Sequence, residues 1–391
     1  MPRINYKKAP FPWFGGKSDA ATAVWGALGD VAHYAEPFCG TMAVLLNRPH
    51  ICNHPYFSET VNDADGLLVN AWRAIQMHPD ATAEFASWPV SEADKHARQI
   101  ALLRWREERQ LEHLMGDPRW CDPEMAGWWV WGVCCQIGAF AVGDGAWTAD
   151  ETGRIFKQDR GPREPGVSKD LPHLSDDGHG VNRPVLREPG VSKDMADLAN
   201  NGRGVNHASL REPGVLSDDV DNEFHPMTMP ELRRWFQWLS ARLRHVRILN
   251  GDWKRLCTSG ALKMLEIRFG KGHAGIFLDP PYADTASRAD NLYASDSMSV
   301  AHDVREWCLK NGDDPAYRIV LAGYDGEHGT ALTDAGWREV EWFTKGFLKG
   351  GMAQISKAGE HQQHRERLWM SPHCLNPGAV AAPTQSCIDW D

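Results

Sequence analysis

Two rhythms alternate along this chain of 391 residues. Short apolar runs ending in Gly, Pro or Asp predict buried strands, and longer stretches with apolar residues every three or four positions predict amphipathic helices. Residues 31–36 (Val-Ala-His-Tyr-Ala-Glu) read as a strand, Pro37-Phe38-Cys39-Gly40-Thr41 as a turn, and Met42 to Leu46 as the start of a helix. A second strand, residues 57–61, ends in Asn62-Asp63-Ala64-Asp65. Residues 66–112 are helical in pattern: Leu67, Leu68, Ala71, Trp72 and Ile75 share a spacing, and a second amphipathic helix runs through Arg98–Arg106. Its arginines are expected on a solvated face rather than on DNA. Residues 126–140 are apolar all round and predict a buried helix, with its tryptophans in the core. Thr228-Met-Pro-Glu231 is a capping box. The helix it opens turns Leu232, Trp235, Phe236, Leu239 and Leu243 inward, leaving Arg233, Arg234, Arg242, Arg244 and Arg247 for the exposed side. Strands follow at 246–250, 275–278, 318–324, 338–344 and 367–371. Such interleaving of strands and helices predicts an α/β fold.

The rhythm breaks across residues 151–222, where Gly, Pro, Asp, Asn and Ser dominate. Arg-Glu-Pro-Gly-Val begins at 163, 187 and 211, a period of 24, and Gly178-His-Gly-Val-Asn182 matches Gly202-Arg-Gly-Val-Asn206. A fixed period of this size is the mark of stacked units, but each copy carries few apolar residues. Two readings stand: a duplicated flexible loop, or an inserted arm touching DNA or a second subunit through Arg183 and Arg203.

Composition narrows the class. A hydrophobic fraction of 42% with 18 Trp is enough for a sizeable core. No run reaches the length of a membrane span, and residues 1–10 carry no apolar signal core, so a soluble, cytoplasmic protein is expected. Nine scattered Cys form no C-x-x-C pair, which favours buried free thiols over metal ligands, and no metal site is expected. The formal net charge of −10 means that any nucleic-acid partner must meet a local concentration of Lys and Arg.

The candidate chemistry centres on Gly275-Ile-Phe-Leu-Asp279-Pro280-Pro281-Tyr282. Three apolar residues make a buried strand and the prolines stop it, leaving an Asp and a Tyr at the carboxyl rim of the sheet, where ligands of open α/β sheets bind. An amino group on a planar ring suits that rim. Its lone pair is delocalised into the ring; Asp279 and the Pro280 carbonyl can each accept one of its hydrogens and free the pair for attack. Tyr282 offers a face for stacking, worth roughly 1–3 kcal/mol. Upstream, Pro-Trp13-Phe-Gly-Gly16-Lys17 converges backbone N–H groups and an ammonium, a turn equally suited to structure or to holding a carboxylate. Asp63, at the tip of the second strand and some 20 residues after Gly40, is placed for ribose hydroxyls.

These four motifs, in this order across residues 12–282, resemble the Dam-like DNA adenine-N6 methyltransferases. The resemblance implies a Rossmann-like methyltransferase sheet, mostly parallel with a terminal antiparallel strand, and an inserted target-recognition region. It implies S-adenosylmethionine as methyl donor. Trp13, Gly16 and Lys17 would hold its methionine end, with Lys17 on the carboxylate. Glu36, Pro37, Phe38 and Gly40 would line the first turn, and Asp63 would take the ribose. Asp252 and Trp253 would meet the adenine, and Asp279, Pro280, Pro281 and Tyr282 would carry the chemistry. Met42 stands where the family often has glycine, and its side chain is expected to tighten the approach to the donor.

The expected organisation is a cofactor-binding first half (1–75), a helical and repeat-containing recognition insertion (76–225) and a catalytic second half (226–391). Double-stranded DNA is the expected partner, through Arg183, Arg203, Arg233 and Arg234, with self-association through 151–222 as a further expectation. Segments 284–293 and 346–365 are expected to be a lid and a loop near the DNA. The family also implies a bacterial or phage setting. The rival readings are the same transfer to cytosine N4, to RNA or to a protein amide, and a non-catalytic DNA-binding or assembly module.

Overall fold

The computed structural model describes residues 7–13, 16–49, 57–106, 111–135, 147–149, 155–157, 228–258, 273–281, 298–342 and 366–376. Tyr282, Arg183, Arg203, the repeats and the segments 284–293 and 346–365 lie outside them. The chain divides into two units, Asp144–His207 and the remainder. The smaller unit contains an antiparallel pair, β3 (Trp147–Ala149) and β4 (Ile155–Lys157), with Trp147 opposite Lys157.

The larger unit is α/β. Its sheet comprises β1 (His33–Glu36), β2 (Ser58–Asp63), β5 (Val246–Asn250), β6 (Ala274–Leu278), β7 (Tyr317–Tyr324), β8 (Arg338–Glu341) and β9 (Glu366–Met370), in the spatial order β5-β2-β1-β6-β7-β9-β8. The first five are mutually parallel, and β9 runs against both of its neighbours. The expected antiparallel pair is therefore present, but its reversed member is one strand in from the edge rather than terminal. The reason is connectivity. A parallel β7–β8 relation needs a crossover, supplied by α10 (Ala331–Asp334). That crossover carries β8 outward, and β9 returns into the gap.

Alternation along the central strands sorts side chains into two cores. Phe277 and Val320 join Val24, Val61, Trp72, Trp129 and Trp235 on one face. Ile276, Leu278, Ile319 and Leu321 join Trp253, Val304 and Trp369 on the other. Every residue of β6 is buried, as a strand covered on both faces requires.

The helices are α1 (Ala21–Leu28), α2 (Ala43–Leu46), α3 (Gly66–Met77), α4 (Pro79–Ala86), α5 (Glu92–Trp105), α6 (Leu111–Gly116), α7 (Pro123–Cys134), α8 (Met229–Leu243), α9 (Met298–Asn311) and the α10 already placed. Their starts are set by local chemistry. Asp65 caps α3 by accepting from the N–H groups of Leu67 and Leu68, and Asp122 caps α7, where Pro123 has no donor to lose. The predicted capping box opens α8, with the Glu231 carboxylate accepting from the Thr228 N–H at 2.8 Å. Helices α3, α4, α7 and α8 pack on one another, so 79–134 shares the core of the first strands.

Two arginines and one methionine depart from expectation. Arg98 is buried rather than solvated, and its guanidinium lies 4.4 Å from the Trp131 ring centre, 5.3 Å from that of Trp88 and 5.4 Å from that of Trp128. Guanidinium is weakly hydrated and stacks on indole, so tryptophans at helical spacing drew it in. Arg242 also turns inward, donating to both oxygens of buried Glu59 at 2.7 and 3.0 Å and to the Leu45 carbonyl at 3.0 Å. Met42 does not tighten the pocket: its side chain is fully buried in the core, and its cost is a left-handed backbone, φ 51°.

Candidate functional site

Parallel strands all point their carboxyl ends the same way, so the turns after β1, β2, β5 and β6 meet at one rim. They enclose a cavity of about 940 Å³ with its open mouth. Trp13, Gly16, Lys17, Glu36, Pro37, Phe38, Gly40, Asp63, Asp252, Trp253, Asp279 and Pro281 all line it. Residues separated by more than 250 positions in sequence are thus gathered in one place. Pro280 is buried and its side chain does not line the cavity. Arg233 and Arg234 are exposed on α8.

One wall consists of turns tied by hydrogen bonds between side chains and backbone groups. Asp63 accepts from the Gly40 N–H and the Asp65 N–H, each at 3.0 Å. Asn62 donates to the carbonyls of Pro37 at 3.1 Å and Gly251 at 2.8 Å, which clips the three turns together. Asn250 donates to the Asp63 carbonyl at 3.0 Å, and Trp72 to the Gly40 carbonyl at 2.8 Å. Gly40 has φ 44°, and a Cβ there would stand 3.1 Å from the Trp13 indole nitrogen, so that ring approaches the turn only over glycine. Burial pushes the Asp63 carboxyl up to about 6 against the bonds from Asp65, Gly40 and Ala64 that pull it down. Burial also raises Glu36 well above the usual carboxylate range, although the Tyr34 hydroxyl donates to it at 3.1 Å.

Phe38 and Trp253 line the wall as an aromatic pair, with ring centres 5.9 Å apart and planes at 30°. Beside them Asp252 starts a short 3₁₀ turn, Trp253–Arg255, by accepting from the Lys254 N–H at 2.7 Å. The predicted adenine contacts therefore stand together, but Asp252 already serves as a cap.

The opposite wall is held by charge. Lys17, nearly buried, places its ammonium 3.2 Å from Asp279 Oδ2 and 3.9 Å from Glu366 Oε1. Glu366 was not anticipated: it falls between the predicted loop 346–365 and the predicted strand 367–371. Because β9 runs against the other strands, its first residue falls at the rim where the others end, opposite Tyr324. Reading the reversed direction of β9 together with an acidic first residue would have found it. Burial raises the Glu366 carboxyl, with Asp279 adding to the rise and Lys17 opposing it.

The sheet's polarity also sorts the basic residues. Arg242 reaches Glu59, near the start of β2, so the end of α8 lies away from the rim. Arg244 and Arg247 share that far end. Arg233 and Arg234 stand about 13 Å further along the helix axis, towards the rim. Arg233 lies 3.9 Å from Glu84, both exposed, a contact of little energetic weight.

No protein-family model matches the chain, and no curated protein matches it in sequence. Among the described residues, no cluster of His, Cys, Asp and Glu could hold a metal ion, and no helix is long and apolar enough to cross a membrane.

Proposed function

We propose that this chain is a DNA adenine-N6 methyltransferase that uses S-adenosylmethionine, working on double-stranded DNA. The observation that carries the reading is the convergence of Asp279, at the end of the central strand, with Asp63, Gly40 and the Phe38–Trp253 pair around one cavity. A mostly parallel sheet ending in an antiparallel pair agrees with the methyltransferase sheet that the motifs imply.

The residues suit that donor. Asp63 offers carboxylate oxygens to ribose hydroxyls, and Phe38 and Trp253 offer apolar faces to a purine. Lys17 is the ammonium of the lining for a carboxylate. When bound, S-adenosylmethionine would supply a methyl group made electrophilic by its sulfonium.

The chain's own part is to prepare the amine. Adenine must leave the duplex to reach the rim, at a cost of a few kcal/mol. Asp279 and the carbonyl of its neighbour Pro280 would accept the two amine hydrogens and free the lone pair for the donor's methyl group. An N–C bond would then form at the expense of the donor's C–S bond, and Asp279 or water would take the nitrogen's surplus proton. Positioning of this kind can supply roughly 7–11 kcal/mol. Arg233 and Arg234 would meet phosphate.

Incubation with DNA or RNA and isotopically labelled donor, followed by mass spectrometry of the nucleosides, tests the reading. Label on N6 of adenine from DNA is expected. Label on cytosine or in RNA would move the acceptor while keeping the chemistry, and no labelled nucleoside would overturn the proposal.

A further inference from the structure

The charged wall holds one carboxylate more than the proposed chemistry uses. Lys17 faces Asp279 at 3.2 Å and Glu366 at 3.9 Å, all three largely withdrawn from solvent. Two carboxylates and one ammonium leave a formal charge of −1 at the rim. Without Glu366 the trio would reduce to a neutral pair, with the Lys17 charge committed to Asp279. A carboxylate gripped by a buried ammonium is a poorer acceptor, because its electron density is drawn to the ion pair. Asp279 is the residue that has to accept from the target amine.

We propose that Glu366 is a positioning residue that shares Lys17 with Asp279, so that Asp279 is released to the amine when the site fills. The inference rests on the methyltransferase reading and adds a residue to it. Three features of the geometry support it. Glu366 opens β9, a strand buried over its last three residues, so its backbone is fixed. Its carboxylate is the more distant of the two from Lys17, as a secondary partner should be. Lys17 comes from the segment preceding α1 rather than from the sheet, so its side chain can shift between two acceptors presented by separate strands. In the filled site Lys17 would be shared by Glu366 and the donor's carboxylate, leaving the Asp279 oxygens for the amine.

The test is a double-mutant cycle on the full chain, with Lys17→Met, Glu366→Gln and both together, and Glu366→Asp as the conservative control. Three quantities are read: the donor's Kd by calorimetry, the single-turnover rate of methyl transfer to DNA, and the thermal midpoint of the donor-free protein. Glu366→Gln should slow transfer about 10–100-fold while the donor's Kd rises less than about fivefold. Glu366→Asp should recover at least roughly a third of the rate. In the Lys17→Met background, removing Glu366 should cost nothing further, because it acts through the lysine. The inference fails, and the methyltransferase reading stands, if Glu366→Gln transfers at the wild-type rate or if the two substitutions multiply. Multiplying losses with a lowered midpoint would make Glu366 a structural residue of β9. A wild-type protein that binds no donor would overturn the reading, and this inference with it.

Discussion

The two walls of the cavity are built on opposite principles. Around Gly40, Asn62, Asp63 and Gly251 each turn is tied to its neighbours by hydrogen bonds between side chain and backbone, so the shape exists before any ligand arrives. Around Lys17, Asp279 and Glu366 the links are between side-chain charges on separate elements. Hydrogen-bonded turns cannot be rearranged without leaving buried N–H groups unpaired, whereas ion partners can be exchanged. A pocket that must recognise one molecule and then activate another gains from having both. On the proposed reading, the rigid wall would select the donor and the exchangeable wall would carry the reaction.

The sharpest way to break this division is to empty the reactive wall. Asp279→Ala should cut methyl transfer by at least roughly 10²–10³-fold, the usual effect of losing one group aimed at developing charge. Donor affinity, measured by calorimetry, should change by less than about fivefold, because the selecting wall is intact. A variant transferring near the wild-type rate would remove Asp279 from the mechanism.

The converse experiment attacks the selecting wall. Asp63→Ala strips the acceptor from the N–H groups of Gly40 and Asp65, both beside the cavity. Charge-assisted bonds of this kind are worth roughly 1.5–3 kcal/mol each, partly offset here by water reaching the partly buried site. A loss of about 2–4 kcal/mol in denaturant unfolding is expected, with a Kd for the donor raised about 100-fold. If affinity fell without any loss of stability, Asp63 would be a ligand contact and not a clip between turns.

The selecting wall was the more legible of the two in the sequence, and for a physical reason. Its residues sit in short local motifs, where a strand end, a glycine and an acid fix one another's positions within a few residues. Gly40, Asp63 and Asp252 could therefore be placed from sequence spacing and the family motifs, and in the other wall the motifs reached Lys17 and Asp279 only. Glu366 could not be placed, because its role depends on the direction of β9, which is set by a crossover far from it in the chain. Arg98 and Arg242 were misjudged for a related reason. Helical periodicity tells which face is apolar, but it does not say that a charged residue at the boundary will find three indoles or a buried glutamate. Met42 was recognised as unusual, but its conformation cost falls on the backbone while its side chain serves the core.

Acidity offers a smaller and graded way to separate the walls. The folded-state Asp63 carboxyl is raised to about 6 by burial. The folded protein therefore holds that proton over a range where the unfolded chain has released it. This contribution to stability is present at low pH and lost as pH rises from about 4 to about 6, by roughly 1–3 kcal/mol. Ribose hydroxyls bind the ionised form, so donor affinity should run the other way. It should fall by up to tenfold for each unit below about pH 6, and Asp63→Asn should flatten both trends. A donor Kd independent of pH between about 5 and 8 would show that ribose does not rest on Asp63.

Met42 gives the subtlest comparison, because one residue is strained where its backbone enters the selecting turn and well packed where its side chain enters the core. The left-handed conformation at φ 51° costs a non-glycine residue roughly 1–2 kcal/mol. Met42→Gly removes that cost and deletes a fully buried side chain, a change usually worth about 2–5 kcal/mol against folding. The second effect is larger, so a net loss of about 1–2 kcal/mol in denaturant unfolding is expected. Donor affinity should hold within about twofold, because neighbouring Thr41 and Ala43 line the cavity and Met42 does not. A more stable glycine variant would mean that strain outweighs packing at this turn. A glycine variant that bound the donor much more tightly would mean that the methionine narrows the pocket after all, through the backbone rather than the side chain.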